Sequence, residues 1–138
     1  MLAVPHPYPE DGAATWIATA RPGRDFAIVL RETGEMIGGI TIEPSEQHRR
    51  AALGYWCAVG FWGQGYATEA VRGVIDYGFR VLALHRVHAD CHGDNPASRR
   101  VLEKAGMKFE GRLRQHSFRV DRFADKLQFG VLRDEWLS

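Results

Sequence analysis

The chain has 138 residues, of which 45% are hydrophobic and 25% are charged, and its formal net charge is +1, from 18 Lys and Arg against 17 Asp and Glu. This composition excludes an extended disordered chain and predicts one domain spanning residues 1–138. The near-neutral balance offers no general attraction to nucleic acid or to a membrane surface, so we expect neither as a partner.

Cysteine usage and apolar runs indicate the compartment. Cys57 and Cys91 are far apart and form no CxxC motif, and no apolar run of membrane-spanning or signal length is present. We therefore expect a cytoplasmic protein with reduced thiols.

The first elements form a β-rich scaffold. Residues 11–20 have the spacing of a modest helix, residues 26–30 and 36–42 are predicted strands joined by a turn at Gly34, and residues 51–57 are a third strand.

A glycine-rich turn follows, with Gly63 and Gly65 directly before an amphipathic helix that begins near Ala67. Glycines let several backbone N–H groups converge on one anion, and the helix N-terminus adds its partial positive charge. The pattern indicates a phosphate cradle, although such a turn is as often ordinary punctuation. The spacing matches neither an ATPase loop nor a dinucleotide fingerprint.

Residues 86–91 are the next strand, and they lead into a second helix with Asn95 as its cap, Pro96 in its first turn and Gly106 at its end. Residues 107–115 and 126–133 are predicted to form a closing hairpin across a long loop. The crossover through the first helix makes strands 51–57 and 86–91 parallel neighbours in a mixed sheet.

Several stretches, in this order, resemble the GNAT superfamily of acetyl-CoA-dependent N-acetyltransferases, most closely its branch of ribosomal-protein N-terminal (alanine/serine) acetyltransferases. They are Leu53-Gly54-Tyr55-Trp56, Trp62-Gly63-Gln64-Gly65-Tyr66-Ala67-Thr68-Glu69-Ala70, Asn95-x-x-Ser98-x-x-x-Leu102-x-Lys104-x-Gly106, Glu110-Gly111-Arg112-Leu113 and Leu132-Arg133-x-Glu135-Trp136.

The resemblance implies an α+β fold with a central mixed, mostly antiparallel sheet flanked by helices. Family members normally open with a strand and a helix for which this chain has no residues. Residues 26–30 would then be an exposed edge strand, which is a pairing hazard. We hypothesise a homodimer that covers this edge, with a truncated chain as the alternative.

The resemblance also implies acetyl-CoA as cosubstrate, with no metal. Its pyrophosphate would lie against backbone N–H groups of the glycine turn and helix start, its pantetheine arm along the end of strand 51–57, and Asn95 near that arm. The implied contacts are Trp56, Cys57, Ala58, Val59, Gly63, Gln64, Gly65, Tyr66, Ala67, Thr68, Asn95 and Ser98.

Ser98 would be the general acid that protonates the departing sulfur; the alternative is a serine that only hydrogen-bonds local backbone. His116 is our candidate general base, against a surface loop histidine, and Glu43 is a second, against a solvated loop carboxylate. His88, Asp90 and His92 alternate along one strand, but we interpret them as a polar strand face and expect no metal.

The predicted function is transfer of an acetyl group to a primary amine by direct attack. A peptide or protein α-amine is favoured because its reference pKa of about 7.7 to 8.0 demands a weaker base than a lysine amine; small amines remain open. The alternative is a catalytically weak acyl-CoA-binding or interaction module.

Overall fold

The computed structural model describes residues 2–3, 15–21 and 24–138, in which eight strands form one sheet in the order β1-β2-β3-β4-β5-β6-β8-β7. Only β5 and β6 pair in parallel; every other neighbouring pair is antiparallel. The strands are β1 Leu2–Ala3, β2 Thr15–Arg21, β3 Asp25–Leu30, β4 Met36–Ser45, β5 Arg50–Cys57, β6 Arg86–His92, β7 Lys108–Arg119 and β8 Arg122–Leu132, and the helices are α1 Tyr66–Arg80, α2 Pro96–Lys104 and α3 Arg133–Leu137. The predicted α+β class with a mixed, mostly antiparallel sheet is confirmed.

One face of the sheet carries the core. Strand alternation buries Ala51 and Leu53 of β5, and the parallel register sets Val87 beside Ala51 and Ala89 beside Leu53. Helix α1 contributes an apolar stripe to the same cluster, including Val71. Each buried Val or Leu side chain contributes about 1.5 to 3 kcal/mol when it leaves water, so this packing fixes α1 on the sheet.

The strands β5 and β6 separate partway along their length. Their parallel pairs run only from Arg50–Arg86 to Leu53–Ala89, whereas β5 continues to Cys57 and β6 to His92. Both α1 and α2 begin shortly after these strand ends. The gap between the strands therefore opens at the end of the sheet where the two helix N-termini lie.

The central elements agree with the sequence predictions. Strands predicted at residues 26–30, 36–42, 51–57 and 86–91 are all present, β4 being longer than expected. The helices predicted from residue 67 and from residue 96 begin at Tyr66 and Pro96. Asn95 caps α2, and Gly106 follows it with a φ of 100°.

The helix predicted over residues 11–20 is wrong for its described part. Residues 15–20 belong to β2, which pairs with β3 from Thr15–Leu30 to Arg21–Asp25, and residues 11–14 lie outside the described residues. The segment alternates β-branched and other side chains, and β3 offers it unpaired backbone groups. Tertiary pairing here overrides a weak helical pattern.

The same pairing corrects the predicted edge strand. β3 lies between β2 and β4 and is not an edge. No helix precedes β3 among the described residues, so strand pairing by β2 protects the backbone of β3. The homodimer hypothesis consequently loses the exposed edge on which it was based.

The long loop expected before the closing strand is also wrong. Only Val120 and Asp121 separate β7 from β8, and the strands pair out to Arg119–Arg122. Phe118 and Phe123 stack edge to face at the tip, with ring centroids 5.1 Å apart. Two irregularities in β7 change its register and let the hairpin extend through residues that had been interpreted as loop.

Candidate functional site

A cavity of about 490 Å³ lies where β5 and β6 separate, between the beginnings of α1 and α2. Its volume is within the range usual for sites that hold small molecules and cofactors. The lining residues come from the end of β5, the glycine turn, the first two turns of α1 and one side of α2. They are Tyr55, Trp56, Cys57, Phe61, Trp62, Gly63, Gly65, Ala67, Thr68, Glu69, Arg72, Asn95, Ala97, Ser98, Arg100, Val101 and Lys104.

The N-terminus of α1 is open to a ligand. Its cap is Gly65, which has a φ of 83° and no side chain to accept the first N–H groups of the helix. Gly63 also has a left-handed φ, of 76°, and at both glycines a β-carbon would meet nothing within 4 Å. The turn therefore presents backbone donors and free space, which suits an anionic group.

The N-terminus of α2 is already capped. The side chain of Asn95 accepts a hydrogen bond from the backbone N–H of Ser98 at 3.1 Å, and Pro96 has no N–H to offer. The two helix starts thus differ: the first N–H groups of α1 have no side-chain cap, whereas the cap of α2 fixes the first turn that carries Ser98.

Tyr55 meets Ser98 inside the cavity. The two hydroxyl oxygens are 2.9 Å apart, and the Tyr55 hydroxyl oxygen is 3.3 Å from the Ser98 carbonyl oxygen, so the single phenol proton has two acceptors within reach, of which Oγ is the nearer. Burial raises the pKa of the Tyr55 phenol above its usual value, and the hydrogen bond with Ser98 offsets part of that rise. The phenol therefore keeps its proton at neutral pH.

Cations from both helices line the cavity. Arg100 and Lys104 are one helical turn apart on α2, and both side chains are exposed. Arg72 of α1 also lines it, but its guanidinium donates to the Ala105 carbonyl at 3.2 Å and lies over the Trp136 ring. Arg100 and Lys104 are therefore the cations best placed to meet a ligand's phosphate.

Most of the cofactor residues predicted from the sequence line this one cavity. Eight do so: Trp56, Cys57, Gly63, Gly65, Ala67, Thr68, Asn95 and Ser98. Four lie beside it without lining it: Ala58, Val59, Gln64 and Tyr66. The Gln64 amide bonds the Gly60 carbonyl at 3.3 Å, and the Tyr66 ring lies against Phe61.

The two predicted base residues do not line the cavity. Glu43 pairs with Arg24 at 2.8 Å, and it lies opposite Ala52, about 17 Å along β5 from Cys57. His116 is an exposed residue in the irregular part of β7. Neither is brought to Ser98.

Asp94 holds the β7–β8 hairpin beside the cavity through two ion pairs. Its carboxylate pairs with Arg119 at 3.3 Å and Arg122 at 2.9 Å. These residues line a second, more open cavity of about 520 Å³ that shares Trp62 and Asn95 with the first. The tip of the hairpin thus forms a wall next to the mouth of the first cavity.

The strand face predicted to be polar carries His88, Asp90 and His92. Burial and the neighbouring Arg86 lower the pKa of His88, while Asp90 pairs with Lys126 at 3.2 Å. Across residues 2–3, 15–21 and 24–138, no group of three or more His, Cys, Asp or Glu side chains is arranged to hold a metal ion. In the same part of the chain, no helix combines the length and apolar character needed to span a bilayer.

Nine of the 17 lining residues were not among the predicted contacts, and three of these nine, each with a polar side chain, are Tyr55, Arg100 and Lys104. Tyr55 was read only as part of a strand motif, although strand alternation places it on the face of Leu53 and Cys57. The basic doublet Arg99-Arg100 is predicted to be solvated, with an approach to a CoA phosphate as the alternative; in the structure Arg99 pairs with Glu103 at 3.6 Å, whereas the exposed Arg100 lines the cavity. Lys104 belongs to one of the motifs that carry the family resemblance, but no contact was predicted for it.

The chain is similar to known acetyltransferases. A family model described as the acetyltransferase (GNAT) domain matches residues 1–108. An uncharacterized N-acetyltransferase of Bacillus licheniformis, p20, is 36% identical over 112 residues, covering 80% of this chain and 63% of that protein. The uncharacterized N-acetyltransferase YoaA of Bacillus subtilis (strain 168) is 40% identical over 97 residues, covering 70% of this chain and 55% of YoaA.

Solved structures agree. Mycobacterium smegmatis RimJ, solved in complex with CoA-disulfide, has a TM-score of 0.73 and 32% identity, over 86% of this chain and 58% of RimJ. The chain therefore spans somewhat more than half of the length of these relatives. Because the family match covers well over half of its residues, the chain belongs to the GNAT acetyltransferase family.

Proposed function

We propose that this chain catalyses acetyl-CoA-dependent acetylation of a primary amine. The observation that carries the proposal is one cavity that contains both an uncapped, glycine-lined helix N-terminus and the Ser98 hydroxyl. Such a cavity can bind the anionic part of a carrier at the helix N-terminus. The Ser98 hydroxyl can then act on the bond that joins the carrier to the group it transfers. When bound, acetyl-CoA supplies the acetyl group as an activated thioester.

The residues present fit acetyl-CoA. Gly63, Gly65 and the first turn of α1 would hold the pyrophosphate through backbone N–H groups, and Arg100 with Lys104 would add charge near the phosphates. The end of β5, at Trp56 and Cys57, would lie along the pantetheine arm. The CoA-disulfide complex of RimJ supports this choice of ligand.

Ser98 would act on the leaving group. As an amine nitrogen bonds to the acetyl carbon, the carbon–sulfur bond breaks and its electron pair goes to sulfur, so a proton donor is needed there. Ser98 would donate its hydroxyl proton to that sulfur. The nitrogen loses a proton as the amide forms, and that proton would restore the Ser98 hydroxyl. Asn95 supports this role by fixing the first turn of α2.

The acceptor is proposed to be an α-amine of a peptide or protein, with a small amine as the second candidate. Among the described residues that line the first cavity, Glu69 is the only carboxylate, and it belongs to the first turn of α1. An α-amine with a pKa near 8 is already partly neutral at physiological pH, so it can react with little help from a base. This property favours an α-amine over a lysine side chain.

Calorimetric titration with acetyl-CoA tests the cofactor site. The intact chain should bind, and Gly65→Glu should abolish binding because it adds a negative charge at the start of α1. Gly34→Glu is the matched control: Gly34 also has a left-handed φ, of 75°, and open space around it, but it lies outside the cavity wall.

Turnover separates an enzyme from a binding module. Ser98→Ala should bind acetyl-CoA normally but release CoA about 10² times more slowly with a peptide acceptor. Binding without turnover in the intact chain would favour the alternative, a catalytically weak acyl-CoA-binding module. Absence of binding would contradict both.

A further inference from the structure

Tyr55 and Ser98 join opposite walls of the first cavity. Tyr55 belongs to β5 and Ser98 to α2, 43 residues later, and their hydroxyl oxygens are 2.9 Å apart. The Tyr55 hydroxyl is also 3.3 Å from the Ser98 carbonyl. The contact is partly buried, so water competes for it less than at an open surface.

Strand geometry explains why this tyrosine reaches α2. Pairing between β5 and β6 ends at Leu53–Ala89, and alternation brings the side chain of Tyr55 to the same face two residues later. With no β6 residue paired beside it, the phenol extends across the gap to the first turn of α2. The Asn95 cap holds that turn and thereby the direction of the Ser98 side chain.

The number of protons limits what the pair can do. Each hydroxyl has one proton to donate and lone pairs to accept others. If the phenol donates to Ser98 Oγ, its nearer acceptor, the hydroxyl proton of Ser98 is free for another acceptor. A serine without such a partner commonly turns its proton back to local backbone carbonyls.

We propose that Tyr55 is a positioning residue whose phenol donates to Oγ of Ser98 and so directs the serine proton into the cavity. This inference rests on the proposed acetyl transfer, in which that proton goes to the leaving sulfur. Tyr55 itself transfers no proton, which agrees with the raised pKa of its phenol. It acts on the reaction only through Ser98.

Kinetics with Tyr55→Phe, Ser98→Ala and the double variant test the inference. Tyr55→Phe keeps the ring and should lower kcat about tenfold while KM for acetyl-CoA stays unchanged, a loss appropriate to one misdirected hydrogen bond. The double variant should be no slower than Ser98→Ala, because Tyr55 acts through that serine. Tyr77→Phe is the control: Tyr77 packs on Phe26 outside the cavity wall, and its variant should match the intact chain.

A second readout does not depend on turnover. The chain has four tyrosines, so Tyr55→Phe identifies the Tyr55 signal among the ¹³Cζ resonances of labelled protein. Ser98→Ala should shift that signal and Ser117→Ala should not. Three results would each overturn the proposed role of Tyr55 and leave the proposed function standing. They are an unshifted Tyr55 signal in Ser98→Ala, full activity in Tyr55→Phe, and losses of kcat that multiply in the double variant. Absence of turnover in the intact chain would overturn the role of Tyr55 together with the proposed function.

Discussion

The indole N–H of Trp136 donates to the carboxylate of Asp76 at 2.8 Å. Asp76 is the one buried polar side chain among the described residues, 8% exposed, and it also accepts from Arg80 at 2.9 Å. The bond ties α3, at the end of the chain, to the middle of α1, which begins at the cavity. Helix α3 therefore helps to hold α1, whose N-terminus lies at the cavity.

Replacing Trp136 with Phe should lower the free energy of unfolding by about 1 to 3 kcal/mol, because a buried carboxylate loses one of its two donors. Urea denaturation measures the change. A double-mutant cycle with Asp76→Asn provides the control: the two losses should be less than additive. Strictly additive losses would show that the hydrogen bond contributes nothing.

Removing the cation at Arg100 should weaken acetyl-CoA binding about twofold to fivefold at low salt, the usual worth of one exposed charge. The effect should shrink in 1 M salt, where the Debye length is about 3 Å. Calorimetry of Arg100→Ala measures this, and Arg99→Ala is the matched control, since Arg99 pairs with Glu103 and does not line the cavity. Equal losses in both variants would mean that Arg100 does not meet the ligand.

The pair Arg86–Glu110 should make stability depend on pH. Two hydrogen bonds from Arg86, at 2.7 and 2.5 Å, lower the pKa of Glu110 in the folded state. A lowered folded pKa contributes stability above the unfolded pKa of about 4.3, and that stability is lost as pH falls through the folded value. Both side chains are about one third exposed, so the contribution is about 0.5 to 1 kcal/mol.

Glu110→Gln should therefore destabilise the chain at pH 7, and its difference in stability from the intact chain should shrink as pH falls through the lowered pKa of Glu110. Glu35→Gln, in the exposed β3–β4 turn, is the control and should follow the intact chain throughout. A constant difference between Glu110→Gln and the intact chain at every pH would argue against the charge pair as the cause.

Gly38 should tolerate no side chain. A β-carbon there would lie 2.3 Å from the Trp56 carbonyl, which belongs to the backbone of β5 at the cavity, so Gly38→Ala should cost about 1 to 3 kcal/mol and weaken acetyl-CoA binding. Gly39→Ala meets only the movable Trp56 indole and should cost less, and Gly54→Ala, with open space, is the control. Thermal unfolding ranks the three, and the reverse order for Gly38 and Gly39 would contradict this prediction.

The acidic limb of the pH profile of kcat/KM should follow the protonation of the acceptor amine and should not depend on His116. Because His116 is exposed and lies outside the cavity wall, the acidic limb with a peptide acceptor should follow the α-amine, near pH 7.7 to 8.0, in both the intact chain and His116→Asn. Loss of the acidic limb in His116→Asn would instead make His116 the base.

Much of the fold and part of the site could be predicted from local patterns. The alternation in β5, the apolar stripe of α1, the Asn95 cap and the two glycines before Tyr66 all act within a few residues, so their outcome depends little on the rest of the chain. The family resemblance rests on these same local motifs. The predicted cofactor contacts are drawn from these same motifs, and eight of the twelve line the cavity.

Longer-range outcomes depended on contacts that no local pattern specifies. Residues 15–20 became a strand because β3 offered a partner, and His116 lies in a strand because β7 pairs with β8 through two irregularities. Sequence alone determined which segments are strands and helices around the cavity and which glycines leave the start of α1 open. Only the tertiary structure decided that β5 and β6 separate after Leu53 and that Tyr55 meets Ser98 across the gap. It also decided that Arg100 but not Arg99 faces the cavity. The reason is that strand register and helix orientation are set by the packing of the whole sheet.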